Sequence, residues 1–329
     1  MKFTTAFNTI ALATTLAFGS FQAQAQTAPA SAPAAISQAA NTVVWNQTAF
    51  KKEFITVNGA RLNVLSAGKG EAVVLLHGYP QSSHIWRYVA PELAKKYTVI
   101  VPDLRGYGES EITADGYDML NVGQDIRALV KHFGFNKARV VGHDWGGAVG
   151  YSYAAQFRDE VTHFAFLESA LVGAGFEQLW NFASPNPGFT FLPFLLMGDI
   201  TQDLMQGKEE AYLRHLWNSF TGDKTALPFS DWQPYVKAMQ RPQGAIGGAQ
   251  YYRAAYISMP QIQKLNQTKL SIPVLSIAGE KSIGAFQENF VRNFASNVSE
   301  FIVLPGAGHF VAEERPEQVT RALSNFLAR

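Results

Sequence analysis

From residue 72 to residue 144 short apolar runs alternate with longer segments of helical period. "AVVLLHG" (72–78), "YTVIVPDL" (97–104) and "ARVVGHD" (138–144) are apolar at successive positions and end in turn residues. Runs of that length and composition predict strands buried on both faces of a parallel sheet. Between them, "SHIWRYVAPELAKK" and "NVGQDIRALVKHFGF" predict helices. "VTHFAFLES" (161–169), "IPVLSIAGE" (272–280) and "EFIVLPGAGH" (300–309) predict three further strands. "FITVNGARLNVLSAG" predicts a hairpin turned at Asn58-Gly59, a dipeptide suited to tight turns. Strand and helix in alternation imply a doubly wound α/β sheet.

One interval breaks the alternation. Glu168 and Ile272 lie about 100 residues apart, whereas a strand-helix-strand crossover needs about 30. The surplus is aromatic and of helical period ("EEAYLRHLWNSF", "WQPYVKAMQ", "AQYYRAAYISM"). It predicts a helical cap over the carboxyl ends of the strands, where such sheets bind ligands. We assign residues 170–261 to the cap, and 46–169 with 262–329 to the core. At the front, Met1-Lys2, the apolar "FNTIALATTLAFGSF" and "AQA" ending at Ala25 predict a signal peptide. Cleavage is expected after Ala25, placing the protein in the periplasm or outside the cell. The apolar run is short for a membrane span. Residues 26–45, opening on "QTAPASAPAAISQAA", predict a disordered linker.

Composition narrows the functional classes. The 27 Lys and Arg nearly match the 26 Asp and Glu, and loss of Lys2 brings them level. No electrostatic field for nucleic acid or anionic membrane follows from that balance. The chain has no cysteine, which excludes a thiol nucleophile and any disulfide. No H-E-x-x-H spacing, P-loop or dinucleotide fingerprint occurs, so no cofactor or metal is expected and water is the cosubstrate.

"VVGHDWGGAVG" (140–150) has the cadence of G-x-S-x-G, in which a strained strand-to-helix turn carries a serine nucleophile. Asp144 stands in the serine's place. An aspartate before a helix is often only an N-cap, but Gly142 and Gly146 around it allow the close packing that the turn needs. A carboxylate is ionised at neutral pH and attacks without a base. On a saturated carbon it forms an alkyl ester; on a carboxylic ester it would form an anhydride. Asp144 therefore points to an epoxide or an alkyl halide, and a serine esterase is excluded.

Hydrolysis of that ester needs a base. Of seven histidines, His309 in "PGAGHFVAEE" occupies the place expected in the chain order nucleophile, acid, histidine. His77 and His143 flank other motifs and suit packing and loop hydrogen bonds. Two carboxylates compete to orient His309. Glu280 follows the penultimate strand, with Ser282 where an Asp might stand; Glu168 ends the apolar strand after the elbow helix. A lone charge at the end of a buried strand requires a partner, so Glu168 is favoured. Backbone N–H groups of Tyr79 and Trp145 are expected to form an oxyanion hole. Pro80 has no N–H and suits a cis bond that fixes the loop.

"HGYP", "DLRGYGES" (103–110), "GHDWGG" and "GAGHF" together resemble the epoxide hydrolase and haloalkane dehalogenase branch of the α/β-hydrolase superfamily. The resemblance spans roughly residues 48–329 and implies an α/β-hydrolase fold with an inserted cap. The signal peptide, the spacing of Asp144 and Glu168 and "YYRA" are similar to Cif-type secreted epoxide hydrolases. That likeness implies that Tyr252 donates a proton to the leaving oxygen, with Tyr251 beside it. His77, Trp145 and Tyr251 are assigned to the substrate pocket. The expected partners are a small apolar epoxide and water; a homodimer stands as an open expectation. Cif-type enzymes carry a cap histidine as second donor, whereas "FLPF" (191–194) has none here, leaving His215 and Tyr212 as candidates. Trp145 stands where haloacetate-cleaving relatives tend to place an arginine, which sets that activity aside. A haloalkane dehalogenase, pairing Trp145 with Trp180 or Trp217 as second halide donor, is the alternative. A non-catalytic binding protein is disfavoured by the presence of all three triad residues.

Overall fold

The computed structural model describes residues 41–179 and 191–329. The expected signal peptide, most of the linker and Trp180 lie outside the described residues. The strands are β1 (Thr42–Trp45), β2 (Thr48–Val57), β3 (Ala60–Ala67), β4 (Ala72–Leu76), β5 (Thr98–Pro102), β6 (Ala138–His143), β7 (Val161–Leu167), β8 (Val274–Gly279) and β9 (Val298–Leu304). They form one sheet in the order β1-β2-β3-β5-β4-β6-β7-β8-β9. The first three are antiparallel and join the sheet through β3 on β5; the remaining pairs are parallel. At the β2–β3 turn Asn58 and Gly59 both take positive φ, 45° and 75°, as a two-residue hairpin of this type requires.

Core helices are α1 (Ala90–Leu93), α2 (Met119–His132) and α3 (Trp145–Gln156). The inserted segment contributes α4 (Phe176–Leu179), α5 (Phe191–Leu195), α6 (Asp199–Met205), α7 (Glu209–Phe220), α8 (Gln233–Gln240), α9 (Gly244–Gly247), α10 (Ala249–Arg253) and α11 (Ala255–Leu265). The chain then supplies α12 (Gln287–Phe294), α13 (Val311–Glu314) and α14 (Pro316–Leu327). Side chains alternate across the strands. Val74, Val140, Phe164 and Phe166 pack with α2 and α3, and that apolar cluster continues into cap residues such as Leu213 and Trp232. Val73, Val141, Ala165 and Leu275 face the other way, toward α1 and α14.

Three boundaries depart from expectation. Ordered structure begins inside the expected linker: Thr42–Trp45 pairs with β2, and Trp45 is buried with its ring 5.0 Å from Phe50. β-Branched and aromatic residues there suit a half-buried strand. "SHIWRYVAPELAKK" forms a 3-10 turn at Ser83–Trp86 and then the short α1. Pro91 cannot donate to the carbonyl of Arg87, so a continuous helix is blocked and a new one starts around it. Finally, α11 runs through residue 261 without a break. Its Ser258 hydroxyl and Gln261 amide oxygen accept the Met119 and Leu120 N–H groups at the start of α2, each at 3.2 Å.

Candidate active site

Asp144 sits in the turn between β6 and α3, at φ 52° and ψ −125°. A Cβ on Gly146 would strike the carbonyls of Leu76 and His77, and one on Gly142 would strike the Gly146 carbonyl, which explains the glycine spacing. The turn is tied down by three bonds. Asp144 N–H donates to the Leu167 carbonyl (3.1 Å), and its carbonyl accepts from Gly147 N–H (2.8 Å) and the Ser169 hydroxyl (2.6 Å). Asp144 Oδ1 accepts the Tyr79 N–H at 2.7 Å, and the Trp145 backbone N–H adds to the same anion. Burial alone would raise this carboxyl's pKa. The His309 ring first, with the Trp145 amide adding to it, outweighs burial and holds it below its usual range. The Tyr79–Pro80 peptide is cis.

His309 follows β9, and its Nε2 lies 3.6 Å from Asp144 Oδ2. Its Nδ1 lies 3.1 Å from Glu168 Oε2, while Glu168 Oε1 accepts the Gly279 N–H at 2.6 Å. Glu168 is fully buried directly after β7 at φ 42°. Glu280 is exposed and accepts the Gly306 N–H at 2.8 Å. The His143 ring lies tilted against that of His309 with centroids 4.7 Å apart, and its Nε2–H donates to the His309 carbonyl at 2.8 Å. Burial first, then the neighbouring His309, lowers the His143 pKa to about 3, so it is neutral. His309 behaves oppositely. Burial would lower it, but hydrogen bonds and charge from Asp144 and Glu168 raise it to about 10. Removing one of those charges in Asp144→Asn is therefore expected to shift the His309 titration to lower pH, as read by histidine NMR. An unchanged or raised value would contradict this electrostatic account.

Tyr252, on α10, is buried against Trp145 and Tyr79, edge-on at centroid distances of 5.0 and 5.4 Å. Burial and then the Asp144 charge push its phenol pKa well above the usual value, so it stays protonated and able to donate. Its neighbour does not join it. Tyr251 donates to the Arg105 carbonyl at 3.1 Å and does not line the cavity, because adjacent residues on a helix face different ways. His77 is also displaced from its pocket assignment. It is fully buried, with Nδ1–H donating to the Gly78 carbonyl (3.0 Å) and Nε2 accepting the Leu104 N–H (2.9 Å). Trp145 does line the cavity.

The cavity measures about 760 Å³ including its open mouth, and Asp144, Glu168, Tyr252 and His309 border it. Phe176, Phe191, Leu216, Phe220, Ile283 and Phe310 make its walls apolar, with Ser169 and Ser282 as polar additions. None of these was singled out from sequence as a wall residue. Leu213, Leu216 and Phe220 do follow the i, i+3, i+7 rule of one helix face, so two walls were visible in principle. Among the described residues, no Lys or Arg borders the cavity. Neither candidate second donor borders it: His215 is exposed, and the Tyr212 hydroxyl is set one hydrogen bond back, accepting from that of Tyr79 at 2.8 Å. Trp217 Nε1–H is already donated to the Leu227 carbonyl at 2.9 Å.

Sheet order, cap insertion and the carboxylate at the elbow define an α/β hydrolase. Residues 71–316 match the alpha/beta hydrolase fold family, and the chain belongs to it. Within that family it falls in the epoxide hydrolase branch. It is 33% identical over 280 residues to the soluble epoxide hydrolase of Corynebacterium sp. (strain C12), covering 83% of this chain and 95% of that protein. The ligand-free structure of the epoxide hydrolase CorEH superposes with a TM-score of 0.78 at 32% identity, covering 85% of this chain and 99% of that one. A fluoroacetate dehalogenase from Burkholderia sp is 36% identical over 140 residues, covering 41% of this chain and 46% of that protein.

Proposed function

We propose that the protein opens apolar epoxides to vicinal diols through an alkyl ester on Asp144. The observation that carries this reading is a carboxylate at the elbow facing a protonated phenol, with His309 and Glu168 behind it. Oδ1 remains in the amide cradle while Oδ2 attacks a ring carbon; the carbon–oxygen bond breaks and the leaving oxygen takes the Tyr252 proton. Esterification removes the Asp144 charge that helps keep His309 protonated. His309 then returns a proton to the Tyr252 phenolate and becomes a neutral base. It takes a proton from water as the water oxygen adds to the ester carbonyl carbon. The oxyanion forms against the Tyr79 and Trp145 N–H groups. Its collapse releases the diol, whose second hydroxyl takes the proton from His309, and Asp144, left as its acid, passes its proton to His309 to restore the carboxylate and imidazolium.

A halide leaves without a proton and needs N–H donors instead. Trp217 has spent its donor, and among the described residues no Lys or Arg borders the cavity to hold a haloacetate carboxylate. Matched epoxides and haloalkanes, read by diol and halide release, test the proposal. Parent protein should turn over epoxides, and Tyr252→Phe should slow that by about 10² to 10⁴, the usual worth of a general acid. Epoxide turnover in Tyr252→Phe equal to the parent would assign ring opening to another donor. Halide release without any diol would turn the reading to dehalogenation.

A further inference from the structure

Glu314 lies in the turn of helix that follows His309 and does not border the cavity. Its buried carboxylate nonetheless accepts four backbone N–H groups. Oε2 takes those of Gly222 (2.9 Å), Asp223 (2.8 Å) and Gly308 (3.0 Å), and Oε1 takes that of Phe310 (3.1 Å). Gly308 and Phe310 flank His309 in the chain. Gly222 and Asp223 belong to the cap segment after α7, and the intervening His309 N–H donates to the Phe220 carbonyl at 2.9 Å.

Capping accounts for only one of the four bonds. Phe310 precedes α13, and a side chain reaching back to that amide resembles a capping box. The other three donors lie outside α13, and two come from the cap. Such bonds to an ionised acceptor are about twice as strong as neutral ones. The meeting is close: a Cβ on Gly308 would strike the Phe220 carbonyl, and one on Gly222 would strike the Gly308 amide nitrogen. Arg315 Nη1 pairs with Asp223 Oδ2 at 2.9 Å and closes the same junction from outside.

We propose that Glu314 is a positioning residue for ester hydrolysis, holding the His309 backbone in register with the cap. Glu168 aims the imidazole ring and Glu314 fixes the backbone that carries it. The inference rests on the Asp144 ester of the proposed function. Alkylation draws on Asp144, its amide cradle and Tyr252, none of which bonds to Glu314. Hydrolysis requires His309 within reach of a water, and a misplacement near 1 Å can cost about 10²-fold.

The test follows both half-reactions in Glu314→Gln, with styrene oxide as probe, by rapid-quench intact mass and diol release. An amide keeps one acceptor oxygen and turns N–H against the remaining donors. Alkylation is expected within about threefold of the parent, with hydrolysis roughly tenfold to a hundredfold slower and the ester accumulating. Glu280→Gln, which trades a charged acceptor of the Gly306 N–H on the same loop for a neutral one, is expected to leave both steps unchanged. Should Glu314→Gln fail to fold, Glu314→Asp keeps the charge on a shorter arm and should give the same split, smaller in size. Parent-like hydrolysis, or equal loss in both steps, would overturn the proposal in either variant. His309→Gln assayed alongside separates the two readings: if it forms no adduct, the ester itself is refuted whatever Glu314 does.

Discussion

Asp144→Ser is expected to abolish diol formation, by at least about 10³-fold, with the thermal melt and circular dichroism of a folded protein retained. A serine there would face His309 and Glu168 in the arrangement of an esterase. The chemistry still fails. Serine attack on an epoxide carbon would give an ether, which has no carbonyl for water to enter, so each site could react at most once. The Tyr79 N–H, now donated to Asp144 Oδ1 at 2.7 Å, would also lose its charged acceptor. Steady-state turnover above a few per cent of the parent would remove Asp144 from the role of nucleophile.

His309→Gln should separate the two halves of the reaction. Alkylation needs only the carboxylate and the acid, whereas hydrolysis needs the base, so the ester on Asp144 should accumulate to near one equivalent. Loss of a general base usually slows its step by about 10² to 10⁴. Intact mass then reports the electrophile. An epoxide adds its whole mass, because the opened oxygen stays as a hydroxyl, whereas a haloalkane adds only its alkyl group. The whole-epoxide adduct is expected. Efficient alkylation by simple haloalkanes with none from epoxides would favour dehalogenation, and no adduct from either would remove the covalent mechanism.

Much of the candidate site is legible in the sequence because it is written in local chemistry. Asp144 lies between glycines that only a close-packed turn requires, and Glu168 closes the apolar strand that follows the elbow helix. Both read out at strand ends, where sequence period and turn residues are strongest. The alternation of strands and helices likewise carried the doubly wound sheet. Less legible were facts that depend on which way a side chain turns. Tyr251 and Tyr252 are adjacent aromatics in one helix; nothing in their order says that one meets the cavity and the other the Arg105 carbonyl. His77 stands beside a cradle amide, yet its ring bridges the Gly78 and Leu104 backbones. Glu314 reads in sequence as one of two acids opening a helix, and only the return of the cap to Gly308 shows what its carboxylate gathers. Pro91 signalled the start of α1 plainly, but the helical period around it dominated the reading.

The backbone at Asp144 and Glu168, with φ of 52° and 42°, has a consequence for engineering the enzyme. Positive φ of this kind suits glycine, and each instance costs another residue about 1–3 kcal/mol. Whole domains are stable by only about 5–15 kcal/mol. Glycine at either position would relax the chain while deleting a carboxylate of the proposed triad. Stability and function thus pull against each other at these two residues. A library screened by heat alone would enrich variants that melt later and do nothing, so selection for robustness has to keep substrate present at every round.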